Sequence, residues 1–318
     1  MARRRAGHPR RQRPRSCVAG KGEGVTMAPG DLISRPGQVQ YGDLLLGPGT
    51  PYRWRGITGW EELPALDSGS VARSDAHGAY PGLLLAQART IGLDGLIVRA
   101  PRDRIGAVVG ALNAGTVPRV DELPLVAWLD DRGPLLVYAR AVRRSVPAGP
   151  GYRLGTIVGG AVEWVASDPR RYGVVEQVVA ATLPTSEPGL SWPMGWPLNF
   201  GTPGSSGALV VVNAGDAESH PVVEFRGPVT TPALTNISTG DVLEYDIPLA
   251  AGDVLSVDTR AGTVLLNRGA SRLYSATKRS VPEQTFTLAP GVTNFAFRAG
   301  PDSEPTATAT VRHRPAYW

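Results

Sequence analysis

The most constraining feature of this sequence is a series of short apolar segments in its C-terminal third, separated by Gly, Pro, Asn and Asp turn signals. Strand-length segments at spacings of about 8 to 12 residues are typical of an antiparallel β-sandwich or jelly roll. We therefore predict an all-β domain over residues 208–318. The expected strands cover residues 208–213, 221–226, 235–238, 242–247, 254–259, 263–267, 284–288, 294–298 and 307–313.

A local repeat in this region predicts which side chains are buried. Gly240 and Gly252 are each followed by the same three residues, Asp-Val-Leu. In each copy alternate residues fall on one face, which places Leu243 and Tyr245, and then Leu255 and Val257, towards the core. The connection at residues 248–252 is short enough for an antiparallel return. We expect the two copies to form adjacent strands.

The region before the sandwich combines strand signals with one helix. Apolar residues recur at i, i+3, i+4 and i+7 in residues 103–115, which predicts a helix with Asp103 as its N-terminal cap and Gly115 at its end. Residues 41–46 predict a first strand, and residues 52–57 alternate apolar side chains with arginine, as in a half-buried strand.

Further strands are expected between and after these elements. Residues 83–88 and 92–98 are predicted to pair with each other. Residues 123–129 and 135–143 flank a strong turn signal at residues 130–134, where Asp130 and Asp131 are expected as turn residues rather than catalytic carboxylates. Residues 152–166 alternate and predict one more strand.

Length and composition then divide the chain. A chain of 318 residues exceeds one typical domain, and 39 Gly and 29 Pro indicate many turns. We expect a basic tail and lead-in at 1–40, a first domain at 41–183, a Pro/Gly/Trp-rich linker at 184–207 and the sandwich at 208–318. Trp192, Trp196 and Phe200 in the linker fit packing against a domain better than a sugar-stacking platform.

The net charge of +5 comes from the N-terminus, because residues 1–26 hold seven Arg and Lys21 against Glu23, leaving −2 for the rest. These residues lack apolar side chains to bury, so we expect a disordered tail or a chain that starts at Met27. A nucleic-acid arm is the alternative, and the apolar stretch after the arginines is too short for a secretory signal. We expect no specific nucleic-acid binding and no membrane span.

No catalytic, cofactor-binding or metal-binding residue is predicted. Cys17 is the single cysteine, and the four histidines His8, His77, His220 and His313 lack metal-ligand spacing. Residues 204–207 lack the glycine spacing of a nucleophile elbow, and residues 20–24 lack the end of a phosphate-binding loop. The four acids within the two copies of the repeat that begins Gly-Asp-Val-Leu are better explained as turn residues than as calcium ligands. These acids are Asp241, Asp246, Asp253 and Asp258.

Taken together, these features resemble the distal tail protein of long non-contractile-tailed bacteriophages (Dit-like proteins of siphophage tails), from about Tyr41 to Arg298. In the first domain the similar elements are residues 54–57, His77-Gly78, residues 88–93, the helix, and the aspartate-proline-basic-tyrosine element at residues 167–172. In the second domain they are residues 212–215, 221–227, 234–240 and 252–259, in the expected order. The arginine-rich start has no counterpart.

The resemblance implies a mainly β protein with an N-terminal barrel-like β domain that contains one α-helix, followed by a C-terminal galectin-like β-sandwich. It also implies a non-enzymatic homohexameric ring at the distal end of the virion tail, assembled in the host cytoplasm without a cofactor. The implied partners are the tail tube protein, the tail hub or tail-associated protein, the receptor-binding protein and the tape measure protein. A carbohydrate-binding or host-adhesion module is the alternative, followed by a cell-wall hydrolase.

Overall fold

The computed structural model describes residues 27–185 and 204–318. The arginine-rich residues 1–26 and the aromatic residues Trp192, Trp196 and Phe200 lie outside the described residues. The described chain is mainly β, with a nearly closed barrel-like sheet followed by a sandwich. This confirms the predicted fold class.

The first part of the chain contains fourteen of the described strands and two helical segments. In chain order they are β1 (Gln38–Tyr41), β2 (Leu44–Leu46), β3 (Tyr52–Arg53), β4 (Gly56–Thr58), β5 (Leu66–Asp67), β6 (Val71–Ala72), β7 (Ala79–Tyr80), β8 (Leu85–Ala86), β9 (Arg89–Arg99), α1 (Ile105–Gly115), β10 (Leu123–Trp128), β11 (Leu135–Ser145), α2 (Pro150–Arg153), β12 (Thr156–Ala166), β13 (Arg171–Gly173) and β14 (Gln177–Thr182).

The second part contains twelve described strands and two short 3₁₀ turns, Leu273–Ser275 and Glu283–Thr285. Its strands are β15 (Ala208–Asn213), β16 (Val222–Arg226), β17 (Val229–Thr230), β18 (Ala233–Asn236), β19 (Val242–Glu244), β20 (Pro248–Leu249), β21 (Val254–Asp258), β22 (Thr263–Leu266), β23 (Ala270–Ser271), β24 (Gly291–Arg298), β25 (Thr308–His313) and β26 (Ala316–Tyr317). The expected strand at 284–288 is wrong, because that segment begins as a 3₁₀ turn.

The barrel-like sheet follows the order β2-β1-β10-β11-β12-β9-β3, with β4 also paired to β9. Apolar side chains alternate inwards along its strands, and Tyr41 contacts Trp164 across the interior with ring centroids 5.6 Å apart. The turn at 130–134 joins β10 to β11 as predicted. The predicted strand over residues 152–166 begins only at Thr156, because Tyr152 lies in the helical turn α2.

Helix α1 packs on this sheet with Ile105, Val109 and Leu112 buried, and it ends at Gly115 as predicted. The predicted cap is wrong. The helix begins at Ile105 after Arg104, and no side chain forms a capping hydrogen bond at this terminus. The Tyr52 hydroxyl instead ties the helix to the sheet by donating to the Val108 carbonyl oxygen at 2.7 Å.

The predicted pairing of residues 83–88 with residues 92–98 is also wrong. Residues 89–99 form one long strand, β9, that pairs with β12. Residues 61–88 form an arm in which β5 pairs with β8 and β6 pairs with β7, and neither pair joins a larger sheet. The apolar run at residues 83–85 therefore lies on the surface instead of in the barrel core.

The sandwich has a six-stranded sheet, β14-β25-β16-β21-β22-β23, and a four-stranded sheet, β15-β24-β18-β19. The repeat was predicted to form adjacent strands, which is wrong, because β19 and β21 lie in different sheets. The ribbon of β17 and β20 carries the chain between them. The predicted faces are confirmed, since Leu243, Tyr245, Leu255 and Val257 are all fully buried in one core.

The chain leaves the barrel before the expected linker. Strand β14 lies within the range expected for the first domain, yet it pairs along its whole length with β25 of the six-stranded sheet. Leu183 is buried in the sandwich core. The crossing from one domain to the other thus takes place just after β13.

Candidate interaction site at the domain junction

Two strands from distant parts of the chain hold the domains together. Strand β13 pairs with β11 of the barrel on one side and with β26, near the chain's end, on the other. In this register Tyr172 lies opposite both Leu136 and Ala316. The last described strand therefore returns from the sandwich to extend the first domain's sheet.

A small apolar cluster fills the space beneath these strands, and we call it the junction cluster. Its buried residues are Val126 and Leu136 from the barrel, Tyr172 from β13, and Ala217 and Ala316 from the sandwich side. The Ala217 amide donates to the Ala316 carbonyl oxygen at 3.0 Å. The buried Asn213 side chain accepts a hydrogen bond from the Ala316 amide at 3.3 Å and donates to the Ala217 carbonyl at 2.8 Å.

Asp168 organises the polar side of the junction. Its carboxylate accepts hydrogen bonds from the Arg170 Nε at 2.9 Å and from the Tyr172 hydroxyl at 2.6 Å. Arg260 of the sandwich approaches the same carboxylate at 3.6 Å, so one acid contacts cations from both domains. The resemblance singled out Asp168, Arg170 and Tyr172 as a sequence motif, and the structure brings the three side chains together.

The environment of Asp168 stabilises its charged form. Burial alone raises the pKa of this carboxyl, but the hydrogen bonds from Arg170 and Tyr172 and the nearby positive charge outweigh it, and the net pKa is lowered. Burial and the adjacent Asp168 carboxylate raise the pKa of Tyr172, so its hydroxyl remains a donor at neutral pH. At neutral pH Asp168 is therefore a carboxylate anion that accepts a hydrogen bond from the neutral Tyr172 phenol.

A second cluster links the base of the arm to the junction. The buried Arg171 guanidinium contacts the Glu61 carboxylate at 2.8 Å and donates to the Trp318 carbonyl oxygen. Glu61 also pairs with Arg132 at 2.9 Å, beside the turn between β10 and β11. The arm, the barrel turn and the last residue of the sequence therefore meet around one arginine.

Arg89, at the start of β9, holds the base of the arm through hydrogen bonds to backbone carbonyls. Its side chain is buried, and it donates to the carbonyl oxygens of Gly59, Trp60 and Glu62 and to that of Pro169. Burial and the nearby Arg171 charge lower the pKa of Arg89 to about 10, which leaves it protonated at neutral pH. One side chain thus supplies the donors for four backbone carbonyls in two segments.

A cavity of about 150 Å³ lies beside the junction, with Tyr138, His220, Arg260, Arg312 and His313 among its lining residues. Its arginines already have partners, since Arg312 approaches acids at 3.5 and 3.9 Å and Arg260 approaches Asp168. Burial lowers the pKa of both histidines. The cavity therefore presents neutral imidazoles and paired charges.

Two of the acids considered as calcium ligands, Asp253 and Asp258, lie at the two ends of β21 and have hydrogen-bond partners within the chain. Asp253 accepts hydrogen bonds from the Ala250 amide and the Asn267 side chain, and Asp258 accepts from the amides of Arg260 and Ala261. Within residues 27–185 and 204–318, no group of three His, Cys, Asp or Glu side chains is arranged to hold a metal ion.

The contacts at the junction orient the two domains relative to each other. The sequence did not predict Ala217 and Ala316 as junction residues, because small residues give no periodic signal.

Residues 214–317 match the family model described as the siphovirus-type tail component, C-terminal domain. The structure of the phage SPP1 Dit protein, described as a paradigm of the hub adsorption apparatus in phages that infect Gram-positive bacteria, superposes with a TM-score of 0.60 at 14% identity. That superposition covers 87% of this chain and 97% of the SPP1 chain. This chain is similar to Dit in its fold. The family model and the shared fold support a Dit-like distal tail protein, a structural component of a phage tail.

Another solved structure extends the likeness to an assembled baseplate. The phage P2 baseplate, in its activated conformation with calcium, contains a chain that matches with a TM-score of 0.52 at 9% identity. It covers 86% of this chain and 97% of the phage P2 chain. At these identities the likeness concerns the fold.

Among curated proteins, no significant sequence match to this chain is found. Within the part of the chain that the structure describes, neither helix has the length and apolar character needed to cross a membrane.

Proposed function

We propose that this protein forms a homohexameric ring at the distal end of a siphophage tail, where it joins the tail tube to the hub and the receptor-binding apparatus. The observation that carries the proposal is the Dit-like arrangement of a barrel-like domain and a sandwich over most of the chain. A ring forms when each copy makes a head-to-tail contact that closes after a fixed number of steps.

The two domains divide this task. The barrel-like domain carries ring closure, and the sandwich faces the receptor-binding parts of the tail. The partners are further copies of this chain, the tube protein, the hub protein, the receptor-binding protein and the tape measure protein, with assembly in the host cytoplasm. The junction around Asp168 holds the sandwich at a fixed angle to the ring, because apolar contacts, paired strands and ion pairs all cross it.

The protein acts as a connector and not as an enzyme in this proposal. Negative-stain imaging of the purified full chain tests it, since a six-fold ring with a central opening is expected. Particles without rotational symmetry would contradict it. Antibodies against the sandwich should label the tail tip of the intact virion, and labelling restricted to the capsid would contradict the proposed location.

A further inference from the structure

The arm at residues 61–88 exposes many large apolar side chains to solvent. Its exposed large apolar side chains are Leu63, Leu66, Val71, Tyr80, Leu83, Leu84 and Leu85. Leu83 is 81% exposed, and the two residues after it are also more than half exposed. Isolated two-stranded ribbons are marginally stable in water, and contiguous exposed apolar patches mark interaction sites. A partner that covers this surface is therefore expected.

Nearly all residues of the arm are exposed, and its strands pair only with each other. Gly82, between the arm's two ribbons, lies so close to the backbone of Ser68 and Gly69 that a Cβ there would clash. About 13 residues separate its base near Glu62 from its tip near Asp75, which permits a reach of up to roughly 40 Å. Its base is held by the buried Arg89 and by the Glu61–Arg171 ion pair. A firmly rooted, projecting arm can contact a neighbouring molecule.

The arm's charge indicates what kind of surface it fits. Residues 61–88 contain four acids against Arg73, a net charge of −3, whereas the rest of residues 27–183 contains fifteen arginines against eleven acids, a net of +4. Glu61 is already paired with Arg132 and Arg171 at the arm's base, so Asp67 and Asp75 are the acids that the outer part of the arm presents to a partner. The barrel-like domain of one copy is thus electrostatically complementary to the arm of another. Complementary charge of this kind selects partners and accelerates their encounter.

The barrel also offers a recess of mixed polarity, which we call the hairpin groove. It lies at the end of the β11–β12 hairpin, has a volume of about 260 Å³, and is lined by Pro147, Tyr152, Ile157 and Val158 among others. Leu154 beside it is exposed, as is Val158.

Three exposed arginines lie near residues of this groove in the chain or in the sheet. Arg153 follows Tyr152 in the chain, Arg99 lies opposite Thr156 in the sheet, and Arg102 lies near Gly155. None of the ion pairs between described residues involves these three side chains. The groove therefore combines uncovered apolar surface with unpaired positive charge, which are the two features that the arm's surface complements.

We propose that the arm of one copy docks in the hairpin groove of the next copy, with residues 83–85 against the exposed Leu154 and Val158, and with Asp67 and Asp75 facing the nearby arginines. The contact is heterologous, because arm and groove are different surfaces of one chain, and it generates a ring when it closes. The proposal rests on the proposed ring and names the contact that closes it.

The test uses the full chain and two complementary variants. The arm variant is L83S/L84S/L85S, and the groove variant is L154E/V158E. All five residues are exposed, so the thermal unfolding midpoint of each variant should match that of the wild type. The matched control is V212S/V292S, which alters two exposed valines that face each other across β15 and β24.

Native mass spectrometry then separates the outcomes. The wild type and the control should form closed rings, and each variant alone should be monomeric at concentrations at least ten times those at which the wild type assembles. A one-to-one mixture of the two variants retains one intact arm and one intact groove, so it should form a heterodimer and nothing larger.

Three results would overturn the proposal. If the arm variant still forms the ring, the arm does not close the ring and contacts some other partner, such as another tail protein. That result would leave the proposed ring uncontradicted. Monomeric variants that fail to form a heterodimer when mixed show that arm and groove do not meet. A monomeric wild type rejects the ring and this contact together. If the arm variant does not fold, D67K/D75K decides by the same measurement, with at least a tenfold loss of assembly expected.

Discussion

The Tyr172 hydroxyl donates a 2.6 Å hydrogen bond to the Asp168 carboxylate, four residues earlier in the chain. Tyr172 belongs to the junction cluster between the domains, and Asp168 contacts Arg170 and Arg260. The pair thus couples an apolar contact between domains to a polar one. Its consequences for stability can be measured in the full chain.

Replacing Asp168 with alanine should destabilise the protein by about 3 kcal/mol, because it leaves the largely buried Arg170 without its anionic partner. Chemical unfolding of the full chain measures the free energy of unfolding. The matched control is Asp131→Ala, an exposed turn acid, which should stay within about 0.5 kcal/mol of the wild type. Equal effects of the two substitutions would contradict the structural role of Asp168.

Mild acid should destabilise the protein through His220 and His313. Burial lowers the pKa of each imidazole in the folded chain, so the unfolded chain, with a pKa of about 6.5, takes up protons first as the pH falls. Their contribution to stability is complete above pH 6.5 and is lost progressively below it. The double variant H220Q/H313Q should flatten the decrease in unfolding free energy between pH 7 and pH 5.

The control for this prediction is His77→Gln, which changes an exposed histidine in the arm. Its pH profile should follow that of the wild type. A double variant whose stability falls as steeply as the wild type over this range would show that other groups carry the pH dependence.

Asp168 predicts a second loss of stability in stronger acid. Its pKa in the folded chain is lowered, so its contribution is present above the unfolded value of about 3.9 and disappears as the pH falls through the folded value. Asp168→Asn should remove this part of the acid transition and leave the histidine part unchanged. Overlapping unfolding profiles of the two proteins below pH 4 would contradict it.

Burial in the sandwich core can be tested at two neighbouring residues of β21. Leu255→Ala should destabilise by about 2 to 5 kcal/mol, because Leu255 is fully buried, whereas Ser256→Ala on the opposite face should stay within about 0.5 kcal/mol. Thermal or chemical unfolding compares the two. A larger loss at Ser256 would show that the faces are reversed.

A glycine at the junction should not tolerate a side chain. A Cβ on Gly215 would lie 1.7 Å from the Ala316 carbonyl oxygen, so Gly215→Ala must displace the strand that returns to the barrel. We expect a lower thermal unfolding midpoint. Gly106→Ala in α1 is the control, since nothing lies near its Cβ position and alanine favours a helix by roughly 0.5 to 1 kcal/mol. An unchanged midpoint for Gly215→Ala would contradict the close approach.

Local patterns predicted much of the fold because they depend on neighbours in the chain. Strand β15 has the predicted bounds at residues 208–213, the helix ends at Gly115, and alternation correctly buries Leu255 and Tyr245. Alternation states which face is apolar, but not which strand lies alongside. The two repeat copies therefore alternate as predicted and yet belong to different sheets.

The junction and the arm depend on contacts that no local pattern encodes. Ala217 and Ala316 meet because a strand near the chain's end returns to the barrel. Residues 83–85 have the apolarity of a core strand, and the structure nevertheless places them outside on the arm. An apolar run indicates surface that some partner covers, and it does not distinguish the chain's own core from another molecule.

The central claim, a closed ring of this chain, is tested most directly by native mass spectrometry of the full-length protein over a range of concentrations. A closed hexameric ring predicts a dominant species with six times the mass of one chain and no larger open series, because such a ring leaves no free ends. A chain that remains monomeric at every concentration, or that forms an unbounded ladder of oligomers, would contradict it.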